Sequence, residues 1–117
     1  MAIRFKKYRH TIDGTYEVKA LQITEANIPD LVNHICRHGG AVTGHLYIPP
    51  VKIGKIEKKA RKARIRIRQR NFGEHWGKLD WRVATVGDYI LRHEINGKYE
   101  FERVKGGDFE SLTDLVK

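Results

Sequence analysis

The sequence predicts an α+β fold: one helix packed on a mostly antiparallel sheet, with a short C-terminal helix. Three observations lead to this expectation. Ile28, Leu31, Val32 and Ile35 fall at i, i+3, i+4 and i+7, a single apolar stripe of helical period. Several other segments alternate with the period of two that suits a strand. Asn96-Gly97 separates the last two of these, and that dipeptide is a strong short-range hairpin signal. At 117 residues the expected organisation is one domain, 1–117, with the basic segment 52–70 as a candidate insertion.

Element by element, FKKYRHTI suits a short strand that leads through a turn at Asp13-Gly14 into TYEVKALQI, residues 15–23. In that second strand Tyr16, Val18, Ala20 and Gln22 share one face, and Glu17, Lys19, Leu21 and Ile23 the other. Its end is expected to be buried on both sides. The helix is expected over residues 25–38. Thr24 or Asn27 can cap it, Pro29 is tolerated in its first turn, and Asp30 suits the positive end of its dipole. Gly39-Gly40 ends it. AVTGHLYI, 41–48, reads as a strand stopped by Pro49-Pro50.

Residues 52–61 are read as a loop or short helix, because Ile53, Ile56, Ala60 and Ala63 also fit a helical stripe. ARIRIRQR, 63–70, then alternates strictly. Ala63, Ile65, Ile67 and Gln69 face one way; Arg64, Arg66, Arg68 and Arg70 face the other. A loop or hairpin over 71–80 leads into strands LDWRVAT (79–85), GDYILRHEI (87–95) and KYEFERV (98–104). Asp108 is placed to cap a short helix carrying Phe109, Leu112, Leu115 and Val116.

Charge is the most informative property of the chain. Its net charge is +9, and residues 52–70 hold ten Lys or Arg against one acid, Glu57. The remaining thirteen basic residues are balanced by thirteen acids, so the excess sits in one block. A localised block of one sign points to an anionic partner. No run of eighteen apolar residues is present, which excludes a transmembrane helix from the expectation. The basic start MAIRFKKYRH has no following apolar stretch, so secretion is not indicated. Cys36 is the single cysteine, which fits a reducing compartment and allows no internal disulfide.

Two readings of the block compete. Alternate residues on a strand repeat at about 6.6–6.8 Å, so Arg64, Arg66, Arg68 and Arg70 form a row of forks spaced to meet successive phosphates. Lys55, Lys58, Lys59, Arg61 and Lys62 would extend that footprint. Alternatively the row is a solvated outer face that keeps a strand from aggregating. Mixed signs would suit a solvated face better, because like charges on one strand face repel. Tyr47, Phe72, Trp76 and Trp81 flank the block and offer rings for base stacking. Trp81 is expected in the core, and Trp76 is the candidate for exposure. No zinc-finger spacing, GXXG loop or aromatic RNA-recognition motif accompanies them.

Catalytic chemistry finds little footing. His34 and His38 have metal-ligand spacing, but at 100° per residue Cys36 points away from both. Cys36 is expected to pack at the edge of the apolar stripe, and His38 at its border. Ser111 is the only serine and has no motif around it. Asp80, Asp88, Glu94, Glu100 and Glu102 suggest no acid–base pair. Gly106-Gly107-Asp108 reads as a turn. The expectation is a non-enzyme without metal or cofactor.

FKKYR, YEVKALQIT and ANI near the start, and ATVGDYILRHEINGKYEFERVKGGDF near the end, resemble a group of small bacteriophage-encoded accessory proteins. The shared signature is G-D-[WY]-I, G-[EK]-[FY] and an acid-Phe helix start, here Gly87, Asp88, Tyr89, Ile90, Gly97, Lys98, Tyr99, Asp108 and Phe109. Gly106-Gly107 stands where the group usually has Lys-Pro, and 52–70 is not part of its pattern. The resemblance implies an accessory role in the cytoplasm of an infected bacterial host and carries over no catalytic residue. The expected function is binding of nucleic acid, or of a nucleic-acid-associated host complex, through the basic strand face. The alternatives are a phage inhibitor docking on an acidic host or defence protein, and a binder of a small anionic nucleotide signal.

Overall fold

The fold is that of a computed structural model, which describes residues 3–11, 14, 17–70 and 79–116. It is mostly β, with two helices, and every strand pairing among the described residues is antiparallel. The strands divide into three sheets rather than one. Strands β1 (Lys6–His10), β2 (Glu17–Gln22), β8 (Tyr89–Ile95), β9 (Lys98–Val104) and β10 (Thr113–Leu115) form a five-stranded sheet in the order β10-β1-β2-β8-β9. Strands β3 (Val42–His45), β6 (Arg64–Arg70) and β7 (Leu79–Thr85) form a second, with β6 central. Strands β4 (Val51–Ile53) and β5 (Ile56–Lys58) make a separate hairpin.

Helix α1 (Ile28–Arg37) buries the predicted stripe through Ile28, Leu31 and Ile35. Asn27 stands at its N-cap, but the side chain does not cap the helix. Instead Asn27 Oδ1 accepts from Thr24 N–H at 2.9 Å while Thr24 Oγ1 accepts from Asn27 N–H at 3.2 Å. At the other end Gly40 N–H donates to Ile35 C=O and Gly39 N–H to Cys36 C=O, which closes the last turn. The apolar face of α1, together with Ile23, Ile65, Ile67, Ala84, Ile90 and Phe101, forms the larger core. One face of the five-stranded sheet thus meets α1 and the three-stranded sheet.

The opposite face carries a smaller core under α2 (Gly106–Leu112), where Phe109 packs on Val18, Ala20, Tyr89 and Leu91. The two faces of β2 divide as its alternation predicts: Val18 and Ala20 enter the smaller core, and Leu21 packs against the larger. Asn96 and Gly97 have φ of 51° and 78° and join β8 to β9, the pattern of a type I′ turn.

Two expectations near the chain's C-terminal end are corrected. Asp108 lies in the first turn of α2 and does not cap it, since Lys105 occupies the cap position. The helix ends at Leu112, and Thr113–Leu115 turn into β10 against β1, so Leu115 belongs to a strand edge. Pairing with β1 satisfies the backbone of those residues, whose local sequence alone fits a helix equally well. The predicted turn at Asp13 and the loop over 71–78 lie outside the described residues.

Candidate functional site

The arginine row is held in place from behind. Ile65 and Ile67 are fully buried and Ala63 nearly so. Because side chains alternate along a strand, this fixes Arg64, Arg66 and Arg68 on the outer face of the three-stranded sheet. Gln69 shares the inner face and accepts a hydrogen bond from Arg103 N–H at 2.8 Å, which ties β6 to β9. Arg70 ends β6; its side chain and the whole of Phe72 and Trp76 lie outside the described residues.

Cross-strand register defines what surrounds the row. On β3, Thr43 and His45 sit opposite Arg66 and Arg64. On β7, Thr85, Val83 and Trp81 sit opposite Arg64, Arg66 and Arg68, and Leu79 opposite Arg70. None of these positions is acidic. No carboxylate among the described residues pairs with Arg64, Arg66 or Arg68. Arg64 is half-buried, and its Nε is shut off from solvent without a hydrogen-bond partner.

The expectation for Trp81 is overturned. It is 47% exposed and lies on the outer face, with Arg66 Cζ 5.6 Å from its ring centre, a cation–π contact. Leu79 and Val83 are exposed beside it, whereas Ala84 is fully buried and Asp80 and Arg82 are half-buried. The strand thus turns its more apolar side outward. By composition, Leu79, Trp81 and Val83 would be the core face. What reverses them is pairing: β7 must match β6 so that Ala84 lies beside Ile65.

Residues 52–61 are neither a loop nor a helix. After an isolated bridge between Ile48 and Arg61, β4 and β5 pair as a two-stranded arm whose turn is Gly54-Lys55. Gly54 has φ of 58° and Lys55 does not have positive φ, the pattern of a type II′ turn. The competing helical stripe loses because Pro49-Pro50 and Gly54 break a helix, while Val51, Ile53 and Ile56 suit a strand.

Every residue from Thr43 to Lys62 is exposed. The radius of gyration, 16.1 Å, and the long axis of 58 Å exceed what a compact chain of this length gives, about 13–14 Å in radius. Lys55, Lys58, Lys59, Arg61 and Lys62 all lie on this arm or its base, so the structure splits the predicted footprint into a sheet face and a projection. Among the described residues, Lys52 is the one cation of the arm in an ion pair, 3.5 Å from Glu57. One side of the arm gathers its apolar residues: Ile48, Pro49, Val51, Ile53 and Ile56 line a groove of about 440 Å³, with Lys58, Lys59 and Arg61 completing its wall.

A second cluster had no sequence signal. Arg92 on β8 lies with its Cζ 4.5 Å from the ring centres of both Phe5 and Tyr99. Its Nη1 is 3.3 Å from His34 Nε2, and arginine can only donate, so Nε2 accepts and is unprotonated. Burial, then the charges of His38, Arg92 and Arg37, hold the His34 pKa below its ordinary value. His34 is therefore the half-buried histidine of the helix, and His38 is exposed, contrary to the helical-wheel expectation. Cys36 is exposed as well and does not pack at the stripe. No group of three metal-ligating side chains occurs among the described residues.

Asp88 and Tyr89 of the C-terminal signature have structural partners. Asp88 Oδ2 accepts from Thr85 N–H at 3.0 Å, and its Oδ1 from Gly106 N–H at 3.2 Å. Tyr89 O–H donates to Glu110 Oε1 at 3.0 Å, and burial first, then this bond, raise its pKa. Ser111 Oγ donates to the Asp108 carbonyl within its own helix. His93 and Glu102 are 3.0 Å apart and line a hollow of about 610 Å³ whose described walls include no Ser, Thr or Cys.

No helix among the described residues is long and apolar enough to cross a membrane. No protein-family model, curated protein or solved structure matches the chain.

Proposed function

We propose that this is a non-catalytic protein that binds nucleic acid, alone or within a nucleic-acid-associated host complex, through the outer face of its three-stranded sheet. The observation that carries this reading is the row Arg64, Arg66 and Arg68, unopposed by any acid across β3 or β7. Three like charges on one face repel one another, and an anionic partner would turn that repulsion into attraction. The basic arm extends the same field. An extended partner suits the geometry better than a small nucleotide, because the guanidinium groups stand in a row on an open face and do not converge. We infer the cytoplasm of an infected bacterium as the setting of this activity, on the resemblance of its two ends to phage accessory proteins.

Binding of random-sequence duplex and single-stranded DNA across a salt series tests the proposal. Affinity is expected to fall steeply with salt, and Arg66→Ala/Arg68→Ala to reduce the slope of log K against log salt by about two. No detectable binding at low salt would sink the reading.

A second reading has its own support. Leu79, Trp81 and Val83 beside the arginines make the mixed aromatic and Arg surface typical of protein interfaces. The protein would then inhibit a host or defence protein by occupying an acidic, partly apolar surface. Capture of a partner from bacterial lysate that survives nuclease treatment and is abolished by Trp81→Ala would favour it.

A further inference from the structure

The arm poses a physical problem that the arginine row does not. A lone two-stranded hairpin is marginal in water, and this one also exposes an apolar face. Its tip is the extreme case: Ile53 and Ile56 are 69% and 63% exposed, and they are direct cross-strand partners flanking the Gly54-Lys55 turn. Together they form a blade two side chains wide at the end of a projection.

Charge decides what can cover that blade. Lys52, Lys55, Lys58, Lys59, Arg61 and Lys62 line the arm and its base, against Glu57 alone, which Lys52 already engages. Two arms laid together would bring two such basic sets into contact, which disfavours a second copy of this chain. The complementary surface is apolar at its centre and anionic at its rims. Duplex DNA offers that form where a base step opens, with the apolar faces of two base pairs lying between its two rows of phosphates.

We propose that the arm is a wedge: its tip enters the minor groove of duplex DNA, and Ile53 and Ile56 press between adjacent base pairs and bend the duplex. The ribbon itself is wider than the minor groove, about 6 Å across, so the two isoleucine side chains at the tip are what enters it. Apolar wedges of this kind unstack a base step and kink the duplex by about 20–90° toward the major groove. Lys58, Lys59, Arg61 and Lys62, further down the arm, meet the phosphates of the flanking strands. This inference rests on the nucleic-acid reading above and adds the duplex and its deformation to it.

The experiment measures binding and bending in the same samples. A short DNA duplex with a donor and an acceptor dye at its ends is titrated with the intact chain. Anisotropy reports binding and energy transfer reports bending, while 2-aminopurine at a central step reports unstacking. The wild-type chain should bind, raise energy transfer and brighten the 2-aminopurine. Ile53→Ala/Ile56→Ala should abolish both optical changes while weakening binding by less than about tenfold, because every phosphate-facing cation is kept.

Both residues lie outside the core, so the variant's thermal midpoint should match the wild type. The wild-type signals test the wedge without relying on it. Binding without bending or unstacking overturns the wedge and leaves the nucleic-acid reading standing. Binding to single strands alone does the same. Failure of the wild type to bind any DNA overturns both. Concentration-dependent dimerisation lost in Ile53→Ala/Ile56→Ala would assign the blade to a second copy and overturn the wedge.

Discussion

Ile67 and Arg66 are neighbours in sequence and should be opposites in every measurement. Ile67 is fully buried between the sheets. Ile67→Ala removes three carbon groups, worth about 0.8 kcal/mol each in transfer alone, and leaves a cavity besides. A loss of about 3 kcal/mol is expected, well inside the ~2–5 kcal/mol range for such truncations. Arg66 is exposed and its one described contact is the cation–π approach to Trp81. Arg66→Ala should cost less than about 1 kcal/mol, and relief of repulsion from Arg64 and Arg68 offsets part of that. Urea unfolding followed by circular dichroism separates the two. With a slope near 1.5 kcal/mol per molar, Ile67→Ala should lower the midpoint by about 2 M and Arg66→Ala by under about 0.7 M. On DNA the order should reverse, with Arg66→Ala changing the salt slope and a folded fraction of Ile67→Ala leaving it alone. Equal destabilisation by the two would refute the assignment of faces, and with it the site.

Other outcomes follow from the same contacts. Asp88→Ala removes an acceptor shared by Thr85 and Gly106 and should destabilise by about 2–3 kcal/mol, with Asp88→Asn in between, measured by the same urea titration. A Cβ at Gly106 would collide with the Gly87 carbonyl oxygen, so Gly106→Ala should cost about 1–3 kcal/mol and lower the thermal midpoint although the residue is not in the core. The depressed pKa of His34 means that the unfolded chain takes up its proton first as pH falls. Its contribution is therefore intact above about pH 6.5 and shrinks below it. Unfolding midpoints should be lower at pH 5.5 than at pH 7.5, and His34→Gln should narrow that difference.

Much of the architecture could be read because short-range chemistry agreed with it. The stripe of α1, the alternation of β6 and the Asn96-Gly97 turn each specify one local answer, and tertiary packing confirms it. Trp81 shows where such reasoning stops. Alternation reveals that Leu79, Trp81 and Val83 share a face, but which face is buried depends on pairing with β6, a long-range fact. The arm fails for a related reason: Ile53, Ile56, Ala60 and Ala63 fit a helical stripe only if one apolar surface awaits them all, whereas Ala63 is buried in the larger core and the other three are exposed. Leu115 likewise depends on β1, at the far end of the chain. Both departures that expose apolar side chains fall beside the basic residues, where a binding surface would override the usual economy of burial.

The pairing of β10 with β1 also sets an order of assembly. All three strands of the arginine-bearing sheet, and the arm, come from one continuous stretch, 42–85, with α1 just before it. The five-stranded sheet instead waits for Tyr8 to meet Leu115. Local contacts close sooner than distant ones. On a chain emerging from the ribosome, the basic sheet can therefore gather around α1 while the outer strands of the larger sheet are still unmade.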